Sequence, residues 1–252
     1  MSLHAEAAGI THRGTVRERN EDCIAIGFWV NQETMEAART FDQALEEPFA
    51  CIVADGMGGH NDGDQASQLV AKNLSRRLSV MGPEKAGTAA RAVNAEFYKH
   101  VGEHPELAGM GSTVVGLSAQ GGNLAIFNVG DSRAYRLEGG RLVQLSTDDS
   151  LVPDWKPGSG KPRSTMLTQC FGGRDVFTDI EPNVRTEAAK AGALYLLCCD
   201  GLYETLPEEQ MAALIGADLK ASCEALLKAA LAAKARDNVT IALVRVVDKA
   251  PA

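Results

Sequence analysis

The sequence predicts an α+β fold: one domain of mainly antiparallel sheets covered by helices. Three observations carry this. Short runs rich in β-branched and apolar residues recur from Cys23 to Val247, and hairpin-type turns join several of them. Stretches with apolar residues at helical spacing come in two pairs, one between the early and middle strands and one just before the last strand. No repeat, low-complexity tract or linker divides the 252 residues, a length that one large domain accommodates.

Taken in order, residues 1–12 read as a short lead-in. The charged stretch Arg13 to Asp22 then runs into a strand over Cys23–Phe28, and the polar, acidic residues 31–47 read as a surface loop or short helix. Phe49–Ala54 has the length and composition of a buried strand and stops at Asp55-Gly56-Met57-Gly58-Gly59-His60. From Asp64 to Met81, Ala66, Leu69, Val70, Leu74, Leu78 and Met81 form a helical stripe, with Asn61 or Asp62 as its cap and Gly82-Pro83 as its break. A second helix spans Glu84 to about His100. Strands follow at Ser112–Ser118 and Leu124–Val129. Ala134–Leu137 and Leu142–Leu145 flank Gly139-Gly140, a hairpin signal. Residues 150–165 hold prolines, glycines and basic residues and read as an irregular loop; Thr178–Thr186 reads as a strand. Ala193–Cys199 is apolar and ends at Asp200-Gly201. Helices over Pro207–Ile215 and Asp218–Ala235 precede the last strand, Val239–Val247.

Bulk properties exclude several classes. A net charge of −8 argues against nucleic acid as a partner. No run of 18 apolar residues offers a membrane span, and the first residues lack the regions of a signal peptide. The six cysteines show no C-x-x-C spacing and lie mostly in apolar runs, which reads as reduced core thiols in a cytoplasmic protein.

Asp55, Asp131 and Asp200 each close a hydrophobic run, and Asp237 opens one. Antiparallel packing brings such strand ends to one rim, where Glu21 and Asp22 can join them. A cluster of like charges raises its own pKa values and resists folding unless cations neutralise it. Oxygen ligands without His or Cys favour Mg²⁺ or Mn²⁺ over Zn²⁺. A pair of such ions can activate a bridging water and clamp a phosphoryl group. Aspartates are also common at turns, so each position alone is more readily structural.

The ordered motifs resemble the metal-dependent protein serine/threonine phosphatases of the PPM (protein phosphatase 2C) family, of bacterial type. The resemblance runs from about Thr11 to Val247. It rests on Arg17 through Asp22 (R-x-x-x-E-D), Val53 through Gly59 (D-G-x-G-G), Gly111-Ser112-Thr113, Asn128 through Arg133 (N-V-G-D-S-R), Cys199-Asp200-Gly201-Leu202 and Asp237-Asn238-Val239-Thr240. It implies a four-layer α-β-β-α sandwich of two mainly antiparallel sheets, with residues 1–252 as one phosphatase domain and 151–168 as a short flap-like loop. It also implies hydrolysis of phosphoserine and phosphothreonine in proteins by in-line attack of a metal-bridging hydroxide, without a phosphoenzyme. Two Mn²⁺ or Mg²⁺ ions, with a third in many bacterial members, are implied as cofactors. Carried over residue by residue, Asp55 bridges two metals and Gly56 offers its carbonyl. Asp200 and Asp237 complete the pair, Glu21 acts through metal-bound water with Asp22 beside it, Asp131 helps hold the third ion, and Arg17 contacts the substrate phosphate, for which its planar fork is suited. Asn238 belongs to the same closing motif. The implied partners are a phosphoprotein substrate and a eukaryotic-like Ser/Thr kinase as counterpart, for a protein expected to be monomeric and away from membranes.

The chain departs from the family at two places. Met57 stands where many members have a His that is a candidate general acid; His60, three residues on, is a possible substitute or a turn residue. Asp149 replaces the His of T-x-D-H-S. Basic residues of the loop, Lys156, Lys161 and Arg163, are expected to influence which phosphoprotein docks. Three rival readings fit the sequence less well. His100-Val101-Gly102-Glu103-His104 fits a zinc-peptidase pattern, but Gly102 and Pro105 spoil its helix. A nucleotide-handling two-metal enzyme lacks its phosphate loop here. A catalytically inert module of the same fold would be favoured by loss of Asp55, Asp200 or Asp237, and all three are present.

Overall fold

The structure, a computed structural model, describes residues 2–58, 62–151 and 166–249. In chain order it opens with β1 (Ser2–His12), β2 (Asp22–Ile26), β3 (Trp29–Asn31), β4 (Arg39–Ala44) and β5 (Phe49–Met57). Helices α1 (Gly63–Met81) and α2 (Ala86–Glu103) follow, separated by a single 3₁₀ turn at Pro83–Lys85. Next come β6 (Gly111–Ser112), β7 (Val114–Gln120), β8 (Asn123–Val129), β9 (Arg133–Glu138), β10 (Arg141–Gln144), β11 (Ser150–Leu151), β12 (Met166–Leu167), β13 (Phe171–Gly172), β14 (Asn183–Ala188) and β15 (Leu194–Cys198). The chain closes with α3 (Asp200–Tyr203), α4 (Glu208–Leu214), α5 (Leu219–Ala232) and β16 (Val239–Lys249).

Among the described residues, one sheet has six strands in the order β10-β9-β15-β16-β1-β4. The other has eight, running β13-β6-β5-β7-β8-β14 with β2 and β3 attached beside β5, and β11 and β12 form a separate ribbon. The described pairings are antiparallel, including the eleven-residue match of β1 with β16.

Both faces of each sheet are covered, which explains why the strands read as continuous apolar runs rather than alternating ones. In β15, Tyr195 and Leu197 enter the layer between the sheets, while Leu194, Leu196 and Cys198 face α3, α4 and α5. In β5, Cys51 and Val53 face the other sheet, while Ala50, Ile52 and Ala54 face α1 and α2. The result is the four-layer α-β-β-α sandwich. Each fully buried Leu or Ile in these layers stabilises the fold by about 1.5–3 kcal/mol relative to an exposed one.

Helix α1 turns Ala66, Val70, Leu74 and Leu78 onto β5 and β2. Asp62 occupies its N-cap position but makes no side-chain capping bond, and Asn61 lies outside the described residues. At α5, the Asp218 carboxylate does cap, accepting from the Ala221 N–H at 3.0 Å. The Arg141–Gln144 and Arg133–Glu138 strands pair across Gly139-Gly140 as a hairpin.

Three sequence readings are corrected. Residues 2–12, read as part of a lead-in, form an interior strand, β1, between β16 and β4. Its alanines have little strand propensity, so pairing on both edges, not local preference, selects the conformation. Residues 39–44, read as loop or helix, form β4 on the open edge of that sheet; their polar character suits an edge. The strand expected over 178–186 lies at Asn183–Ala188, set by its register against β8. Most of the irregular loop expected over 150–165 lies outside the described residues.

Candidate active site

Asp55, Asp131, Asp200 and Asp237, from four distant segments, line one cavity of about 530 Å³. Arg17, Glu21, Gly56, Met57, Gly58, Thr113, Met166 and Leu167 complete its lining. Asp55 sits near the end of β5, whose apolar run anchors it between the layers. Its carbonyl accepts from the Thr113 N–H at 2.9 Å and the Ser112 hydroxyl at 3.1 Å. Gly56 follows because nothing larger fits: a Cβ there would lie 1.9 Å from the Gly63 carbonyl oxygen and 2.5 Å from that of Glu21. The start of α1 is thereby pressed against the strand end.

Asp131 follows Gly130, whose φ of +96° and closeness to Thr113 exclude side chains. This turn is held from several sides. Asn128 donates to the carbonyls of Gly130 (3.0 Å) and Thr147 (2.7 Å), Asp149 accepts from the Gly130 N–H (2.9 Å), and Asn183 donates to both Asp149 oxygens. Asp149 is therefore an anchor of the Asp131 turn. The Tyr203 hydroxyl donates to the Asp131 carbonyl at 2.9 Å. Tyr203 ends the one-turn helix that Asp200 begins, so Asp200 opens a helix as well as following a strand.

Asp237 precedes β16 and accepts from Arg17 at 2.8 Å. The next residue, Asn238, lies outside the cavity lining and ties the ends of the chain together. Its Oδ1 accepts from the Glu21 N–H at 2.8 Å, and its Nδ2 donates to the carbonyls of Arg13 (3.1 Å) and Arg19 (2.9 Å). The stretch bearing Arg17 and Glu21 is thus shaped by a residue more than two hundred positions away.

The electrostatics are those of crowded acids. Burial, and then the charges of Asp22, Asp200, Asp237 and Asp131, push the Asp55 carboxyl well above the usual range. Burial and the charges of Asp131, Asp237, Glu204 and Asp22 do the same to Asp200. Burial also raises Glu21. Asp22 pairs in register with Asp55 but is buried beneath the cavity rather than lining it. Burial raises it, Thr240 donates to one of its oxygens at 2.7 Å, and the other oxygen has no hydrogen-bond partner. His60 lies outside the described residues.

These donors fit divalent cations. The set is all oxygen and is repulsive when ionised, which calls for positive charge. Among the described residues no three acidic, imidazole or thiol side chains gather around a single point for an ion. An ion here would complete its shell with the Gly56 carbonyl or water. Sequence reasoning found the acidic residues and Arg17. It missed Thr113, Met166 and Leu167 as lining; of these only Thr113 lay in a recognisable motif. The His100–His104 pair, with ring centroids 4.6 Å apart, is on α2 and the residue after it, and neither His lines the cavity.

A family model described as Protein phosphatase 2C matches residues 37–240. The serine/threonine protein phosphatase PstP of Mycobacterium tuberculosis is 32% identical over 262 residues, covering 98% of this chain and 46% of that protein. The chain thus spans about half the length of that relative. The serine/threonine phosphatase stp of Listeria monocytogenes is 30% identical over 260 residues, covering 96% of this chain and 95% of that one. The crystal structure of the PstP catalytic domain in complex with two manganese ions superposes with a TM-score of 0.78 at 30% identity, covering 98% of this chain and 100% of that one.

Proposed function

Since this chain belongs to the protein phosphatase 2C family, we propose that it hydrolyses phosphoserine and phosphothreonine in proteins, using divalent metal ions held by Asp55, Gly56, Asp200 and Asp237. One observation carries the reading: four aspartates from separate segments line one cavity with an arginine among them. When bound, two Mn²⁺ or Mg²⁺ ions would supply an activated water and offset charge on the phosphoryl oxygens. Phosphomonoesters are among the slowest compounds to hydrolyse unaided, and the residues present address that difficulty by positioning and charge.

In this reading Arg17 exchanges the Asp237 carboxylate for the phosphoryl oxygens; its side chain is half exposed and its fork can bridge two of them. Asp55 is held rigid through its own carbonyl and fixes the centre of the cavity. Glu21, positioned by Asn238, orients water and accepts its proton; Asp22 supports from below. Asp131, braced by Tyr203 and by the turn that Asp149 and Asn183 hold, would help hold a third, weaker ion. Met57 lines the cavity where a proton donor stands in many relatives and has no proton to give, so water protonates the departing alkoxide. The reaction leaves no phosphorylated side chain.

The wider reading is a monomeric, cytoplasmic protein acting opposite a eukaryotic-like Ser/Thr kinase. It is supported by six free cysteines and a net charge of −8, and by the likeness to bacterial phosphatases. The test is hydrolysis of an aryl phosphate and of a phosphothreonine peptide with Mn²⁺, with chelator, and with Asp55→Asn. Metal-dependent turnover lost in the variant is expected. Turnover that survives both treatments rejects the assignment, and peptidase activity restored by zinc replaces it.

A further inference from the structure

A second cavity of about 560 Å³ opens directly off the acidic one. Met57, Gly58 and Leu167 line both, so the two are continuous. Its floor and walls include Gly109, Gly172 and Gly173, the Ile180 side chain and the half-buried Cys170 thiol. Glycine at position 109 leaves part of the lining open, since a Cβ there would meet nothing within 4 Å.

The surroundings are apolar at positions where solvent would ordinarily select polar residues. Leu151 and Met166, paired across the small ribbon, are 58% and 68% exposed, and Val176 and Phe177 are 71% and 59% exposed. The last two lie between the lining residues Arg174 and Thr178, and Phe177 is fixed edge-on against Tyr98 at 5.3 Å. Clustered exposed apolar groups mark interaction sites more often than scattered ones do. Methionines at such a site adapt to different shapes. Charge does not dominate, because Arg174 is offset by Asp179, and Glu181 is paired with Arg91 at 2.6 Å. The groove's polar edge is rigid: Gln169 and the Glu181 backbone exchange two hydrogen bonds, at 3.0 and 2.9 Å.

We propose that this groove seats the polypeptide flanking the phosphorylated residue and favours an apolar side chain there, which makes it a specificity site for protein substrates. The occupant is the substrate's own chain, because the groove is continuous with the cavity where the phosphoryl group would lie; the inference therefore rests on the phosphatase reading. A small aryl phosphate does not reach the groove and provides the control.

The experiment compares phosphothreonine peptides carrying Leu, Ala or Asp at each flanking position with an aryl phosphate. The enzymes are the wild type, Thr178→Trp, which fills the groove, and Phe177→Ser, which removes the exposed apolar side chain bordering it. At one flanking position, Leu is expected to exceed Asp by about tenfold in kcat/KM. Thr178→Trp should raise KM for that peptide about tenfold, Phe177→Ser should reduce the Leu preference to under threefold, and both should keep wild-type kinetics on the aryl phosphate. A wild type indifferent to the flanking residue overturns the groove while leaving the phosphatase reading intact, as do variants that change peptide and aryl phosphate equally. A wild type inert on the aryl phosphate with Mn²⁺ removes the phosphatase reading and this inference with it.

Discussion

Asp200→Asn should make the metal-free protein more stable while ending its metal-dependent turnover. The electrostatic neighbours of Asp200 are Asp131, Asp237, Glu204 and Asp22, all acidic, and burial raises its pKa further. The neutral amide keeps the shape and removes one buried charge from this group. Leaving a buried charge uncompensated weakens a fold by a few kcal/mol, so removing one should return about 1–3 kcal/mol. For a domain of this size that is a rise in Tm of about 3–10 °C. The sign with pH follows from the raised value. In the unfolded chain an aspartate ionises near 3.9, whereas folded Asp200 resists ionisation, so unfolding releases a proton. The wild type therefore loses stability as pH rises above about 4, until the folded value is passed. The advantage of the variant should be absent near pH 4 and largest at pH 8. Asp237→Asn is the internal control. It breaks an exposed pair with Arg17, worth about 0–1 kcal/mol, and should not stabilise comparably. The assay is calorimetric unfolding in chelator across that pH range. An Asp200→Asn protein less stable than wild type at pH 8, or equally advantaged at both ends, would refute the reasoning.

Other perturbations probe the neighbouring contacts. Arg17→Lys keeps the charge but loses the planar fork and should lower kcat/KM on an aryl phosphate by about 10²-fold, with unchanged unfolding; a loss under threefold would remove Arg17 from phosphate binding. Asn238→Ala deletes three hydrogen bonds and should lower stability by about 2–4 kcal/mol in denaturant titration, together with activity; an unaltered midpoint would contradict the clamp. Gly56→Ala forces a carbon to within 1.9 Å of the Gly63 carbonyl oxygen and should destabilise by at least ~3 kcal/mol, read as lost expression or a lowered Tm. Asp149→His restores the residue common in the family but removes the acceptor for Gly130 and Asn183. It should weaken Mn²⁺ binding measured by calorimetry about tenfold, more than it changes Tm, a contact of about 1–2 kcal/mol being concentrated on one turn.

The acidic residues were legible because each stands at the end of an apolar run or the start of one. A strand end in a covered sheet is one of the few places where a carboxylate can be both fixed and accessible. Glu21 was legible from its place beside the first strand and Arg17 through motif order alone; nothing local says that their loop folds back on residue 238. Bonds such as that from Asn238 to Arg19 join positions whose separation hides them from any pattern along the chain. Asp22 shows a different limit. It adjoins Glu21 in sequence, yet the fold buries one beneath the cavity and places the other on its wall. β1 was missed because Ala5, Ala7 and Ala8 are chosen for fit against strands on both sides, which no single-strand propensity records. The second cavity was invisible for the same reason: Met57, Gly109, Cys170 and Ile180 belong to different segments and carry no shared motif.

The eleven-residue pairing of β1 with β16 places the two ends of the described chain side by side in one sheet. Arg17 is made more than two hundred residues before Asp237. A nascent chain therefore holds every early component of the site without the strand that aligns them, and its first strand waits, one edge open, for a partner hundreds of residues away. Such long-range closure slows folding and leaves that edge exposed to other chains in the interval. It also means that the acidic cavity is assembled in one step, once β16 has been made, rather than growing during synthesis.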